Sequence, residues 1–401
     1  MKNKLRSIKQ VDLKNRHVVL RVDFNVPVKN GKVQDDYKIK RSLPTIKYLL
    51  KNKCKIVVIS HFSRPEGKRV KAMSLEPVYK EFKRNLARTR TQFVTRKIDE
   101  NLVKHIDKLY LKNDIVMLEN IRYDKRENQN RKNLAQLLAK MGEVYVNEAF
   151  ATSHRENSST VGITEYLPSY AGLNFENEVA FLSKALEPKE PDVALVGGAK
   201  VKTKLQVIKN FLKLYQNVMI GGGLANTFLA AKGYDVGGSF HEPAEIKNAK
   251  KLLKSKKLLL PIDVVVADNS KPQIIKVVKV GKQKKLCNLD EQILDIGPET
   301  VQRFSREIKK AKTIVWGGPF GYLEDKRFSH GTISIAKIIG ARSSGRAVSI
   351  AGGGETLLAI HMSKMERYYD FISTGGSAML KFLEGKKLPG IQSLIKNKKI
   401  V

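Results

Sequence analysis

Cysteine is nearly absent from this 401-residue chain, with Cys54 and Cys287 alone present. Two thiols without C-x-x-C spacing exclude a disulfide framework, a thiolate metal site and a dithiol redox motif, and they suit a reducing cytoplasm. Long apolar runs are missing too. No stretch of about 18 apolar residues occurs, and MKNKLRSIKQVDL lacks the apolar segment of a secretory leader, so the expectation is a soluble, cytoplasmic chain without a membrane partner. Acids are scarce: 39 Asp and Glu stand against 75 Lys and Arg, for a formal net charge of +36. That excess suits anionic partners, but a solvated lysine surface is the more ordinary reading. It is spread through RNLARTRTQFVTRK, NAKKLLKSKK and GKQKKL with no stacking-aromatic RNA motif, so nucleic acid is expected only through nonspecific charge. There is no G-x-x-x-x-G-K-[ST], no G-x-G-x-x-G followed by an acid, no G-x-S-x-G and no H-E-x-x-H. These gaps exclude a standard P-loop, a dinucleotide fingerprint, a serine-nucleophile elbow and a zinc protease helix.

What is there is a globular composition, 42% hydrophobic and 28% charged, long enough for two or three domains at roughly 100–200 residues each. Short β-branched runs alternate with helical stretches: HVVLRVDF, KIKRSLPTIKYLLKN, CKIVVISH, and onward through DIVMLEN, EVYVNEAF, DVALVGG, NVMIGGG, KLLLPIDVVVAD, QIIKVVKV, TIVWGGP, RAVSIAGGG and DFISTGG. That alternation predicts α/β architecture with mainly parallel sheets, and the number of strands predicts two of them. Only five of the 28 glycines precede residue 185, which marks two chemically different halves. The helix pattern NEVAFLSKALE, closed by PKEP, lies between them and predicts a hinge strut. A hairpin is expected around Asn269 to Leu289.

In the second half, four strands end in glycine clusters that lead into helices: GGAKVKTKL, GGGLANTFL, GGGETLLAI and GGSAMLKFL. Such turns place bare backbone N–H groups at helix N-termini, where phosphate oxygens approach closely. Taken singly, each is more often a tight turn; four on one sheet predict a nucleotide at its carboxyl edge. Lys200 and Lys204, one helical turn apart beside Gly197 and Gly198, are expected to aim two ammonium groups at one anion. Glu355 follows Gly352, Gly353 and Gly354 and suits a magnesium ion bridging phosphates, or else a helix first turn; Glu324 suits a ribose hydroxyl.

The first half instead offers Arg21 with Asp23 and Asn25, His61 with Arg64, Arg122, and His154 with Arg155, each at or beyond a predicted strand end. Guanidinium forks converging from four strands suit a small, multiply charged anion, and two or three of the four arginines are expected to touch it. Neither half offers a convincing protein nucleophile. Phosphoryl transfer between two bound anions fits, because its catalysis is positioning and charge stabilisation.

RVDFNVP, SHFSRPEG, LENIRY, YVNEAFATSHRENSSTVG, the glycine segments above, LLLPIDVVVAD, DIGPET, WGGPFGYLE and STGGSAMLKFLEGKKLPG together resemble the phosphoglycerate kinase family, in its order and nearly end to end. The resemblance implies two Rossmann-like three-layer αβα domains joined by a hinge helix. It divides the chain into 1–176 for 3-phosphoglycerate or 1,3-bisphosphoglycerate, the helix 177–187, 188–371 for nucleotide, and 372–401 returning to the first domain. It implies reversible phosphoryl transfer from 1,3-bisphosphoglycerate to Mg-ADP in glycolysis, by domain closure of a monomer, with Mg2+ and ATP or ADP. Asp23, Asn25, Lys38, His61, Arg64, Arg122 and Arg155 would hold the glycerate. Gly198, Lys200, Lys204, Gly221, Gly222, Gly297, Pro319, Glu324, Gly352, Gly353, Gly354, Glu355 and Thr356 would hold the nucleotide, with Glu355 on magnesium. Lys38, Arg155, Lys200, Gly353 and Gly376 would surround the transferring group.

Four positions depart from the family pattern. Lys38 stands in DYKIKR where the family has an arginine, with Arg41 three residues on as a partial substitute. Glu355 replaces an aspartate, Gly317 an asparagine, and Ser377 a glycine, where it could cap the helix. Two other readings therefore stay open: a binding or regulatory paralogue with most catalysis lost, and a basic nucleic-acid binder suggested by charge alone.

Overall fold

Runs such as HVVLR and KIVVI fold as strands buried along nearly their whole length, as expected where helices cover both faces of a parallel sheet. The computed structural model describes residues 5–268 and 274–399. By their packing, residues through Ala180 together with those from Lys387 form one unit, and Phe181–Lys386 form another.

The first unit is built on six parallel strands in the order Thr91–Val94, Ile115–Leu118, Lys55–Ile59, His17–Arg21, Val144–Asn147, Ser169–Ala171. From His17–Arg21 the chain moves to one side, through Lys55–Ile59 to the edge strand Thr91–Val94 and back to Ile115–Leu118 between them, and then crosses to the other side with Val144–Asn147, so the order reverses beside His17–Arg21. Helices connect the strands, among them Tyr37–Lys51, which follows the short hairpin Val28–Lys29 with Lys32–Val33, and Glu100–Tyr110. Ile8, Leu20, Phe24, Ile46, Ile56, Val78 and Phe82 pack in its core. The C-terminal helix Pro389–Lys396 is held here: Gly390 N donates to Ser153 O at 2.9 Å, and Asn397 Nδ2 donates to the Thr164 and Leu167 carbonyls.

The second unit repeats the scheme with Leu258–Leu259, Asn217–Ile220, Asp192–Val196, Thr313–Gly317, Val348–Gly352 and Phe371–Ser373, again all parallel. Its order reverses between Asp192–Val196 and Thr313–Gly317. A separate antiparallel sheet comprises Ile275–Lys279, Asp263–Asp268 and Glu291–Ile296.

Several expectations need correction. KLLLPIDVVVAD is two strands in two sheets, Leu258–Leu259 and Asp263–Asp268, because Pro261 between them has no N–H for a ladder. Thr91–Val94, inside a basic run, Ser169–Ala171 and Glu291–Ile296 are strands without a strong periodic signal. The helix expected at 177–187 is Leu173–Leu186, starting one turn earlier. The hairpin expected around Asn269 to Leu289 is the antiparallel pairing of Asp263–Asp268 with Ile275–Lys279; residues 269–273 lie outside the described residues.

Candidate functional site

Parallel strands bring all their carboxyl ends to one edge of a sheet, and ligands of such folds sit in the crevice where strand order reverses. In the first unit that edge carries the basic side chains. Arg21 ends the strand His17–Arg21 and is fully buried; its Nε donates to Ser159 Oγ at 2.8 Å and its Nη1 to the Val22 carbonyl at 2.5 Å. Ser159 Oγ in turn donates to Glu127 Oε1 at 2.6 Å. Arg21 is thus a brace beneath the basin, while Arg64 and Arg155 are exposed above it.

Asp23 lies just beyond the same strand. Its Oδ2 accepts from Lys38 Nζ at 2.7 Å, and its Oδ1 accepts from Asn25 N at 3.1 Å. Burial alone raises this carboxyl, but the Lys38 charge, His61 and these hydrogen bonds outweigh it and hold the group at about 2. His61 Nδ1 is 3.2 Å from Arg21 Nη2, and burial, reinforced by Arg21, Arg122 and Lys38 against the pull of Asp23, drives its pKa well below the ordinary value. At neutral pH it is therefore an uncharged hydrogen-bonding group and adds no charge to the basin. Asn25 Oδ1 accepts from Ser63 N at 3.0 Å, fixing the loop that carries Arg64. Arg122 Nη1 donates to Ser63 O at 2.7 Å; burial and the charges of Arg21 and Arg155 lower its pKa to about 10. Arg155 Nε donates to His154 Nε2 at 3.2 Å. The sheet therefore brings Asp23, Lys38, His61 and Arg122 into one electrostatically linked cluster, with Asn25, Arg64 and Arg155 along its rim. Arg41 faces elsewhere, donating to Asn174 Oδ1 at 3.0 Å, so it does not take over from Lys38.

In the second unit the glycine turns surround a cavity of about 590 Å³ at the reversal of strand order, lined by Gly198, Gly222, Pro319, Glu324 and Glu355 among others. Gly198 N donates to Pro319 O at 2.7 Å, closing the two turns on each other. Thr356 Oγ1 accepts from Gly318 N at 2.7 Å and donates to Gly352 O at 2.9 Å. Gly353 is the N-cap of the helix Gly354–Ser363, which puts Glu355 in its first turn, and Gly376 is the N-cap of Ser377–Leu383. Ser377 is therefore the first helical residue and makes no cap, contrary to the sequence expectation.

Lys200 and Lys204 also diverge. Lys200 is the exposed N-cap of Val201–Leu214, whereas Lys204 Nζ folds back onto the carbonyls of Gly197 and Gly317. Burial lowers the Lys204 pKa to about 8 against the favourable charge of Glu355.

Gly221 and Gly297 have packing roles: a Cβ on Gly221 would lie 2.2 Å from the Phe320 ring, and one on Gly297 2.3 Å from the Asp263 carboxylate. Sequence reasoning missed the apolar wall of the cavity, where Phe240, Tyr322 and Leu358 are half exposed. Leu358, one turn after Glu355, was the available signal. Among the described residues no group of three or more His, Cys, Asp or Glu side chains could hold a metal by itself. A lone first-turn carboxylate beside a phosphate-type turn is a donor set that suits magnesium arriving with a nucleotide.

Comparison with known proteins places the chain in a family. Residues 8–386 match the family model described as phosphoglycerate kinase. The phosphoglycerate kinase of Thermosipho africanus is 40% identical over 406 residues, covering 98% of each chain, and that of Clostridium botulinum is 41% identical over 402 residues, covering 97% of this chain and 98% of its own. The solved phosphoglycerate kinase of Coxiella burnetii superposes with a TM-score of 0.85 at 36% identity, covering 98% of this chain and all of its own. With a family match along nearly its whole length and relatives at this identity, the chain belongs to the phosphoglycerate kinase family.

Proposed function

We propose that the chain reversibly transfers a phosphoryl group from 1,3-bisphosphoglycerate to Mg-ADP, giving 3-phosphoglycerate and ATP, as a cytoplasmic monomer that closes its two domains on the substrates. One observation carries this reading: a single chain holds a cationic cluster at the carboxyl edge of one parallel sheet and a glycine-lined cavity at that of another. The first, taken as 1–176, is assigned the glycerate, and the second, taken as 188–371, the nucleotide.

In this mechanism Arg64, Arg122 and Arg155 bind the phosphate and carboxylate of the glycerate, while His61, Asn25 and Asp23 orient it through hydrogen bonds. Asp23 also holds Lys38 in place, so that its ammonium stabilises the charge of the transferring group together with Lys200. A β-phosphate oxygen of ADP attacks the acyl phosphorus, and the bond to the carboxyl oxygen breaks with its electron pair leaving on the product carboxylate. No protein nucleophile or proton is consumed. Gly198, Gly222, Gly353 and Gly376 offer backbone N–H groups to the phosphates, Pro319 and Glu324 border the nucleoside, and Lys204 moves from its carbonyl partners toward phosphate. Glu355 would hold magnesium, which supplies charge neutralisation when bound with the nucleotide.

The test is a coupled assay consuming 3-phosphoglycerate and Mg-ATP, with the acyl phosphate reduced by an NADH-linked enzyme. Turnover of roughly tens per second is expected, within the ordinary enzyme range. A chain that binds both ligands without turning over would instead be a non-catalytic member of the family.

A further inference from the structure

We propose that the first unit carries a second ligand site, a cleft behind the turn that presents Arg122, suited to a phosphorylated ligand with a flat apolar body. This cleft, about 1280 Å³, has more than twice the volume of the nucleotide cavity. Its floor includes the buried side chains of Ile98, Leu118, Ile121 and Leu137.

The charge at its rim is unbalanced because the acids there are already engaged. Asp124 Oδ2 accepts from Arg126 Nη2 at 2.6 Å, and Glu100 pairs with Lys140 at 2.7 Å. Asp99 caps the helix Glu100–Tyr110 by accepting from Leu102 N, and Glu119 accepts from Ser74 Oγ and Leu75 N. Arg96, Lys97 and Lys125 remain exposed on the rim without an acidic partner among the described residues. An apolar floor under three free cations rewards a ligand that combines a flat hydrophobic body with a phosphate.

Occupation of the cleft reaches the basin through one turn of chain. Ile121 and Tyr123 line the cleft, while Arg122 between them donates to Ser63 O on the basin side. Asn120, also in the cleft wall, donates from Nδ2 to the Phe62 and Met73 carbonyls and accepts at Oδ1 from Phe62 N and Arg122 N. A ligand against this turn shifts both Arg122 and the loop of His61 and Arg64; this coupling rests on the glycerate assignment above, whereas the cleft itself does not.

The experiment titrates 1-naphthyl phosphate, by calorimetry, into the full chain held in saturating 3-phosphoglycerate and Mg-ADP. One additional site is expected, about tenfold tighter than for inorganic phosphate because the ring covers the apolar floor. Lys97→Glu with Lys125→Glu weakens it about tenfold or more, and a control reversal, Lys250→Glu with Lys251→Glu, does not. No binding, equal loss in both double variants, or equal affinity for inorganic phosphate overturns the site. A second titration measures 3-phosphoglycerate affinity with and without the aryl phosphate; a shift present in the wild-type chain and absent from Lys97→Glu/Lys125→Glu supports the coupling, and an unchanged affinity overturns it. An inactive chain that still binds the aryl phosphate through Lys97 and Lys125 removes the substrate reading and leaves the cleft standing.

Discussion

At the scale of single residues, the Lys38–Asp23 pair decides how far this chain departs from its relatives. The ammonium contacts a carboxylate that is buried to 8% exposure, so each group keeps the other charged and in place. With its pKa held at about 2 instead of 3.8, Asp23 adds about 2 kcal/mol to stability at neutral pH, present above the ordinary value and lost as pH falls toward 2. In Lys38→Ala burial is no longer opposed by its nearest cation. The Asp23 carboxyl then titrates higher, near or above 3.8, as a carbon-13 NMR titration reads directly; a carboxyl still near 2 would show that His61 and the backbone suffice. Lys38→Ala also lowers turnover roughly 10- to 150-fold, the loss of one charge-assisted hydrogen bond, whereas Lys38→Arg retains or raises it by restoring a fork. Equal rates in all three chains would remove Lys38 from the chemistry.

At the scale of elements, the strand-to-helix turns of the second unit tolerate change very unevenly. Gly221 is pressed against Phe320, which is fully buried and packs edge-on against Phe304 at 5.9 Å, so neither ring can retreat. Gly221→Ala is expected to cost about 1–3 kcal/mol through overpacking. Gly317 ends the strand Thr313–Gly317 of the same sheet, yet the nearest atom to an added Cβ there is Gly352 O at 3.8 Å. Gly317→Asn, which restores the amide usual in the family, should change stability by less than about 0.5 kcal/mol. Urea unfolding of the two variants checks both values, and similar losses would contradict this packing difference. The same elements show where sequence patterns run out. GGAK and GGGET were legible as phosphate-type turns because glycine after a strand has a local cause. The inward fold of Lys204 was not, since a lysine one turn into a helix can reach outward or back, and only the carbonyls of Gly197 and Gly317 select between them.

At the scale of the whole molecule, both units bury a carboxyl whose loss of water outweighs the groups that favour its charged form, Arg41 among them at Glu148. Burial pushes Glu148 up to about 7 although it accepts from Thr45 Oγ1 and from the amides of Asn174 and Phe175, and burial likewise pushes Asp295 up to about 7. For an acid with a raised folded pKa, the stability is present below its unfolded value and is lost as pH rises through the folded one. The window runs from 4.5 to about 7 for Glu148 and from 3.8 to about 7 for Asp295. About 3 kcal/mol is at stake at Glu148. Thermal midpoints measured in high salt, to screen the net charge of +36, should therefore fall between about pH 5 and pH 8. Glu148→Gln and Asp295→Asn should each flatten that slope, and slopes identical to the wild-type chain would refute the assignment.

Strand and helix alternation, the two parallel sheets, the glycine turns and the arginines at strand ends were written in local sequence, because β-branched runs, helix periodicity and glycine each act over a few residues. Strands without such signals, like Thr91–Val94 within a basic run, took their state from the neighbour they pair with. Which arginine braces and which faces outward was likewise decided by tertiary structure: Arg21, the last residue of its strand, meets Ser159 and two backbone carbonyls in the interior, whereas Arg64 and Arg155 are exposed. The cleft under Arg96, Lys97 and Lys125 had no sequence signature at all. Its walls come from segments far apart in the chain, and a cavity exists only where packing brings such segments near without filling the space between them.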